Sequence, residues 1–435
     1  MSRILGVRRE DKSRWERRVP LVPAQIKRLR DEHGVELVIQ PSEIRVFPDT
    51  EFEAVGARVA EDLSDCSVII GVKEMPAEFF QPGKGYLFFS HVIKGQPYNM
   101  PMLRRILDVG STLIDYEKIA DDEGRRLIAF GRFAGLAGML DSLWALGQRL
   151  EWEGLRNPFA SICQTVHQPG LETAKAAVRE IGRIIETQGL PGSLRPFVCG
   201  FAGYGNVSHG AQEIFDLLPV VEISPAQLVA GFDGDDRHVY KVVFKEEHLF
   251  VPAQAEDRFV LQDYYAHPEK YRSCFEQYLP HLTILMNCIY WEERYPRLVT
   301  RRYVDEAFGQ ESKPRLRVIG DLSCDVEGSV EVTLKATDPG DPVFVYEPGG
   351  ITKSGVQGGG PVILAVDILP SELPVEASQS FGDVLGPFIP AMLGADFSLP
   401  FQDLELPAEL KRAVIAHQGK LPPDYQYINK FLGSE

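Results

Sequence analysis

The chain has 435 residues, 62 acidic against 46 Lys and Arg side chains, and a formal net charge of −16. At ~150 residues per domain, that length predicts two or three domains with cores of their own. A chain this acidic is a poor partner for nucleic acid or an anionic membrane, and no apolar run approaches the ~18 residues of a membrane span.

The charge is unevenly spread. Residues 1–30 hold ten basic side chains, from Arg3 through Arg18 to Arg30, against Glu10, Asp11 and Glu16. The segment reads either as a site for a small anion or as a solvated basic face. The N-terminus has no apolar signal core, and the six cysteines are widely spaced with no C-x-x-C pair. Reduced thiols, no metal site and a cytoplasmic location are expected.

In chain order, the first 120 residues alternate β-rich and helical runs. Ile4–Val7 reads as a strand, Pro23–His33 as a helix stopped by Gly34, and 35–39 as a second strand. The continuous apolar run 66–72 (CSVIIGV), then 86–90 and 112–114, read as buried parallel strands, with a helix near 99–108. The 135–154 segment places Leu136, Met139, Leu140, Leu143, Leu146 and Leu150 at helical spacing. A second α/β unit follows, with a helix over 171–187, a strand over 196–199, a glycine loop, a helix over 208–217 and a strand over 220–223. Strands are expected at 283–286 and 317–319, a loop or hinge at 347–361, a strand at 362–366, and helices at 381–393 and 408–417.

The glycine loop, 200–210 (GFAGYGNVSHG), sits between a strand and a helix, the setting of a dinucleotide site. Gly200, Gly203 and Gly205 would let the backbone approach a pyrophosphate, and the N–H groups of Asn206 and Val207 would open the helix toward it. The spacing is G-x-x-G-x-G, so context carries the reading. Glu222 lies 22 residues after Gly200, where an acid meets the adenosine ribose, and a carboxylate there favours NAD over NADP. Ser224 would take that slot if the strand ends later.

Lys73 follows the apolar run of the third strand, and His91 and Lys94 follow the fourth. Ligands of open parallel sheets bind at such carboxyl ends, so Lys73 and His91 fit an acid–base pair. Each alone reads equally as a solvated lysine and a hydrogen-bonded histidine. Arg8, Arg9, Arg17 and Arg18 supply guanidinium groups suited to a carboxylate.

Together these residues resemble the alanine dehydrogenase/transhydrogenase superfamily, and within it the lysine–2-oxoglutarate reductase branch, the lysine-forming saccharopine dehydrogenases. The matching runs are 8–23 (RREDKSRWERRVPLVP), 68–76 (VIIGVKEMP), 88–94 (FFSHVIK), 113–138, 200–210, 286–291 (MNCIYW), 320–325 (GDLSCD) and 366–381 (VDILPSELPVEASQSF). The resemblance implies an α/β fold: two Rossmann-like domains, parallel sheets flanked by helices, with a cleft between them. A discontinuous catalytic domain (1–133 plus 362–435) would accompany a dinucleotide domain (134–361) with a linking helix over 135–153. It implies reductive condensation of lysine with 2-oxoglutarate to saccharopine, or the reverse, with these small molecules rather than nucleic acid or membrane as partners and the oligomeric state left open. Lys73 would be the base and His91 the acid, tuned by Glu74 and Glu117. Arg18, Lys94 and Arg126 would hold substrate carboxylates, and Asn287 and Asp321 would line the nicotinamide side. The cofactor is NAD(P): Glu222 leans to NAD, whereas the animal and plant branch leans to NADP. An alanine dehydrogenase-like enzyme shares the lysine, histidine and arginine positions, and a silent NAD-binding protein is the remaining alternative.

Overall fold

A computed structural model describes residues 4–254, 256–310 and 314–433, leaving Arg3 outside the described residues. The chain divides into two units, one of residues up to Phe130 with those from Pro374, the other Gly131–Leu373.

The first unit is built on a seven-stranded sheet. Its strands are β1 (Ile4–Val7), β2 (Glu36–Ile39), β3 (Arg58–Val59), β4 (Val68–Ile70), β5 (Gly85–Phe88) and β6 (Thr112–Asp115), all parallel to their neighbours. The order β6-β5-β4-β1-β2-β3 brings the carboxyl ends of β1, β4, β5 and β6 side by side. Residues of β4, β5 and β6 are buried on both faces, which explains their unbroken apolar runs. Helices α1 (Pro23–His33), α2 (Asp49–Ala54) and α3 (Met100–Asp108) form the crossovers. Gly34 caps α1 with φ +65, a conformation that costs glycine nothing.

The C-terminal return differs from expectation. Residues 408–417 are not one helix: the helix Ala408–Arg412 gives way to a strand, Val414–Ala416, that pairs antiparallel with β6. The β-branched Val414 and Ile415 favour the extended chain there, and both are fully buried. The expected 381–393 helix is two helices, Pro374–Leu385 and Ile389–Gly394, parted by a turn at Gly386–Phe388.

The second unit opens with α4 (Gly131–Trp152) and α5 (Leu171–Gln188). Its eight-stranded sheet comprises β7 (Phe197–Ala202), β8 (Val220–Glu222), β9 (Val239–Phe244), β12 (Ile284–Asn287), β13 (Val318–Asp321), β14 (Val343–Glu347), β15 (Ile351–Ser354) and β16 (Val362–Leu364), while β10 (Phe250–Pro252) and β11 (Tyr271–Ser273) form a separate ribbon. Helix α6 (Asn206–Phe215) follows β7, and α7 (Pro225–Ala230) and α8 (Glu246–Leu249) flank β9. The sheet runs β15-β14-β16-β13-β12-β7-β9-β8.

Three expectations are corrected here. First, β9 had no counterpart in the sequence reading, and it, not β8, pairs with β7. Second, 362–366 does not begin the return to the first domain: β16 pairs with β13 and β14 inside the second sheet. Third, the 347–361 stretch is not a plain hinge, because β15 folds back on β14 through Gly349 and Gly350, at φ +91 and +86.

Helices α4 and α6 pack at backbone distance. A Cβ on Gly135 would lie 1.9 Å from the Val207 carbonyl oxygen, and one on Gly210 2.1 Å from that of Arg132. This contact, between Gly135 on α4 and Gly210 on α6, holds the start of α6 in place behind β7.

Candidate active site and dinucleotide site

The first unit's candidate site grows from four adjacent strand ends. After β1 the chain delivers Arg8 and Glu10; after β4, Lys73 and Glu74; after β5, His91; after β6, Tyr116 and Glu117. Glu10 is 7% exposed, and its Oε1 and Oε2 accept the N–H groups of Val72 (2.6 Å) and Lys73 (3.0 Å). Burial pushes its carboxyl up to about 7, with Glu16 adding to the rise.

Lys73 is partly buried, and burial, then the charge of Arg18, lowers its pKa from the ordinary lysine value. Glu74 accepts from His91 Nδ1 at 2.7 Å and from Lys12 Nζ at 2.8 Å. Burial alone would raise its pKa, but these two bonds dominate and hold it near 2. His91 has φ +51, a left-handed backbone that costs a non-glycine residue ~1–2 kcal/mol. Asn99 Nδ2 donates to the Ser90 carbonyl at 3.1 Å and to that of His91 at 3.4 Å, bracing the turn.

Arg18 is 4% exposed, and its Nε and Nη2 grip Glu16 at 2.7 and 2.5 Å, with the guanidinium 4.1 Å from the Phe130 ring centre. Burial works against the Glu16 carboxylate, yet the Arg18 charge and hydrogen bonds lower its pKa overall. The basic opening segment is thus largely neutralised: Arg8 pairs with Asp11, Arg9 with Glu61, Lys12 with Glu74 and Arg18 with Glu16. Arg126 lies 3.8 Å from Glu117 and 5.1 Å from the Phe89 ring, beside the same strand ends, while Lys94 is exposed on the turn after β5. Sequence reading passed over Glu10 and Glu16 because acids inside a basic run look like solvated counter-charges.

In the second unit, Gly203 (φ +94) and Gly205 form the turn between β7 and α6, and no atom lies within 4 Å of a Cβ built on Gly205. Asn206 and Val207 open α6, whose first N–H groups suit a pyrophosphate. Gly200 is corrected. It lies within β7, where a Cβ would meet Leu282 and Phe244 at 2.9 Å, so it serves packing, not phosphate approach. Counted from Gly203, the motif is G-x-G-x-x-S, with the fully buried Ser208 as the small third residue.

Glu222 is corrected as well. It stands in register with Lys241 on β9, which is itself in register with Cys199 in mid-β7, so it is short of the strand ends. It is 64% exposed and pairs with Lys241 at 3.3 Å. The acid at the carboxyl end of the strand beside β7 is Glu246. It lines a cavity of 510 Å³ with Gly203–Val207, Tyr265, Cys288 and Tyr290. Its Oε1 accepts from the Tyr265 hydroxyl at 2.6 Å; Oε2 is buried with no hydrogen-bond partner among the described residues. Lys245 sits over the Tyr204 ring at 6.0 Å.

Asn287 and Asp321, paired across β12 and β13, are fully buried. Asn287 Nδ2 donates to Asp321 at 2.8 Å and to Ser329 at 2.7 Å, and Asp321 also accepts from Ser323 and Thr333. These bonds brace the loops after the two strands, while Asn287 Oδ1 is buried with no hydrogen-bond partner among the described residues. Among the described residues no cluster of His, Cys, Asp and Glu is disposed to hold a metal, and no helix is long and apolar enough to cross a membrane.

Residues 6–137 match the family described as "Alanine dehydrogenase/PNT, N-terminal domain". Of these, residues 6–130 lie in the first unit and 131–137 in the start of α4. The first unit's strand ends bear the Lys73, Glu74 and His91 cluster. Alpha-aminoadipic semialdehyde synthase of Arabidopsis thaliana is 39% identical over 99% of this chain and 42% of its own length, so the chain spans less than half of that relative. Saccharopine dehydrogenase [NAD(+), L-lysine-forming] of Yarrowia lipolytica is 28% identical over 86% of this chain and 88% of its own length. An L-alanine dehydrogenase structure, 18% identical, covers 99% of this chain and all of its own with a TM-score of 0.63, which shows a shared α/β dehydrogenase fold.

Proposed function

We propose that the chain is a nicotinamide-dependent reductase that condenses the ε-amine of lysine with the ketone of 2-oxoglutarate to saccharopine, or runs the reverse. The observation that carries this reading is the joining of Lys73, Glu74 and His91 at adjacent strand ends within the alanine dehydrogenase/PNT N-terminal domain. The named synthase and saccharopine dehydrogenase relatives support the substrate class.

Lys73, its pKa lowered, takes the proton the lysine ammonium must lose before its nitrogen can attack the ketone. Glu74 fixes His91 through Nδ1, leaving Nε2 to protonate the carbinolamine oxygen as it departs as water. Arg18, Lys94 and Arg126 are the cations assigned to substrate carboxylates, with Glu117 beside Arg126. The glycine loop and cavity fit a dinucleotide: Gly203 and Gly205 admit the pyrophosphate, and Glu246 Oε2 offers an acceptor to ribose hydroxyls. When bound, the nicotinamide supplies the hydride that reduces the imine. A carboxylate facing the ribose repels a 2′-phosphate, which favours NAD over NADP despite the nearby Lys245.

The deciding assay follows oxidation of NADH and of NADPH with lysine plus 2-oxoglutarate, alongside pyruvate plus ammonia. Lysine-dependent oxidation, faster with NADH, is expected. Turnover with pyruvate and ammonia alone assigns an alanine dehydrogenase activity instead, and dinucleotide binding without turnover assigns a silent binding protein.

A further inference from the structure

Glu10 has no role in the chemistry just described, yet it is buried against the base assigned to that chemistry. Its two oxygens accept the consecutive N–H groups of Val72 and Lys73, where β4 ends and the chain turns toward Glu74. The fit is close: a Cβ on Gly71 would lie 3.3 Å from Glu10 Oε1. An ionised carboxylate accepts both bonds, whereas a protonated one turns an O–H toward one of the two N–H donors and loses that bond. We propose that Glu10 is a positioning residue for Lys73, its carboxylate clamping the 72–73 backbone so that the lysine amine leaves the strand end in the productive direction. The proposal rests on Lys73 being the base.

The charged and titratable groups facing Glu10 are Arg8 from its own segment, Glu16 from the following loop and Tyr116 from the turn after β6. Burial and Glu16 hold the carboxyl near 7, so the clamp closes as pH rises through neutrality. That sign matches the need of Lys73 to be neutral. Both groups gain function on losing a proton, which steepens the acid limb of turnover.

The test is the pH profile of kcat with lysine, 2-oxoglutarate and cofactor. Glu10→Gln carries an amide N–H₂ toward one backbone N–H and stays half-clamped at every pH. It is expected to lower kcat on the order of tenfold to a hundredfold at pH 8. It should leave the dinucleotide Kd unchanged and remove the component of the acid limb that titrates near 7. A merely structural role lowers Tm and leaves that limb in place. Wild-type kcat with an unchanged limb overturns the proposal. Glu10→Asp keeps the charge but falls a methylene short, so it should lose kcat while retaining the limb; full kcat in it overturns the proposal even if the Gln variant does not fold. Lys73→Met is run in parallel. Turnover retained there sinks the base assignment itself, a failure distinct from that of the clamp.

Discussion

His91 Nδ1 lies 2.7 Å from Glu74 Oε1, while Glu74 Oε2 is held by Lys12 at 2.8 Å. Both oxygens of one carboxylate are therefore committed, and the imidazole is oriented by a partner that cannot rotate away without losing a second ion pair. Glu74→Gln keeps the shape and removes the charge. Its turnover is expected to fall on the order of tenfold or more, read as kcat at fixed pH.

Lys73→Met and His91→Gln should each lower turnover by ~10²- to 10⁴-fold, the usual worth of a positioned acid or base. Neither touches the glycine loop, so NADH binding followed by fluorescence titration should be unchanged. Near wild-type turnover in both variants would dismiss the pair as the reacting groups.

Glu74 and a second carboxylate, Asp115 at the end of β6, set opposite pH dependences of stability. Glu74 is held near 2, below its ordinary 4.5, so its contribution is complete above pH ~4.5 and is lost as pH falls toward 2. Asp115, fully buried beneath Ser90 and Glu117, is raised by burial to about 6, so it favours the fold at low pH and costs stability as pH climbs from 3.8 through 6. Urea melts at pH 3, 5 and 7 should show the gap between wild type and Glu74→Gln closing at pH 3. Asp115→Asn should flatten the dependence between pH 4 and 6.

Two glycines near the dinucleotide loop separate packing from binding. Gly135→Ala drives a methyl into the Val207 carbonyl at 1.9 Å and should cost ~1–3 kcal/mol or more by forcing α4 and α6 apart. Gly205→Ala meets nothing within 4 Å and has φ −83, so its Tm should hold while its dinucleotide Kd rises, because the methyl stands where the pyrophosphate approaches. Calorimetry and binding titration on both variants check the contrast.

Glu246→Arg replaces the unpartnered carboxylate with a guanidinium suited to a 2′-phosphate. The ratio of NADPH to NADH Kd values should fall by at least tenfold, an expectation from one charge-assisted contact of ~1.5–3 kcal/mol. An unchanged ratio would remove Glu246 from the choice of cofactor. The same exchange at Glu222, paired with Lys241, should leave the ratio alone.

Lys73 and His91 were legible because β4 and β5 are buried on both faces and read as unbroken apolar runs ending in those residues. The strand β9 was not, because Lys241 interrupts its pattern. That lysine is 7% exposed: its stem lies in the sheet and its ammonium reaches Asp216 at 2.9 Å and Glu222 at 3.3 Å. Missing one strand shifted the candidate acid at the strand end by 24 positions, from 222 to 246. The Glu16–Arg18 pair was equally hidden, since burial of two opposite charges leaves no mark in a local charge count.

The position of β9 beside β7 has an evolutionary consequence. The segment that follows it, through α8 and the β10–β11 ribbon, lines the cavity beside the glycine loop and lies outside the eight-stranded sheet. Exchanges at Glu246 and Tyr265, which line the cavity outside the sheet, leave its strands and the helix-to-helix glycine contact in place. Selectivity in this fold can drift quickly over a scaffold that changes slowly.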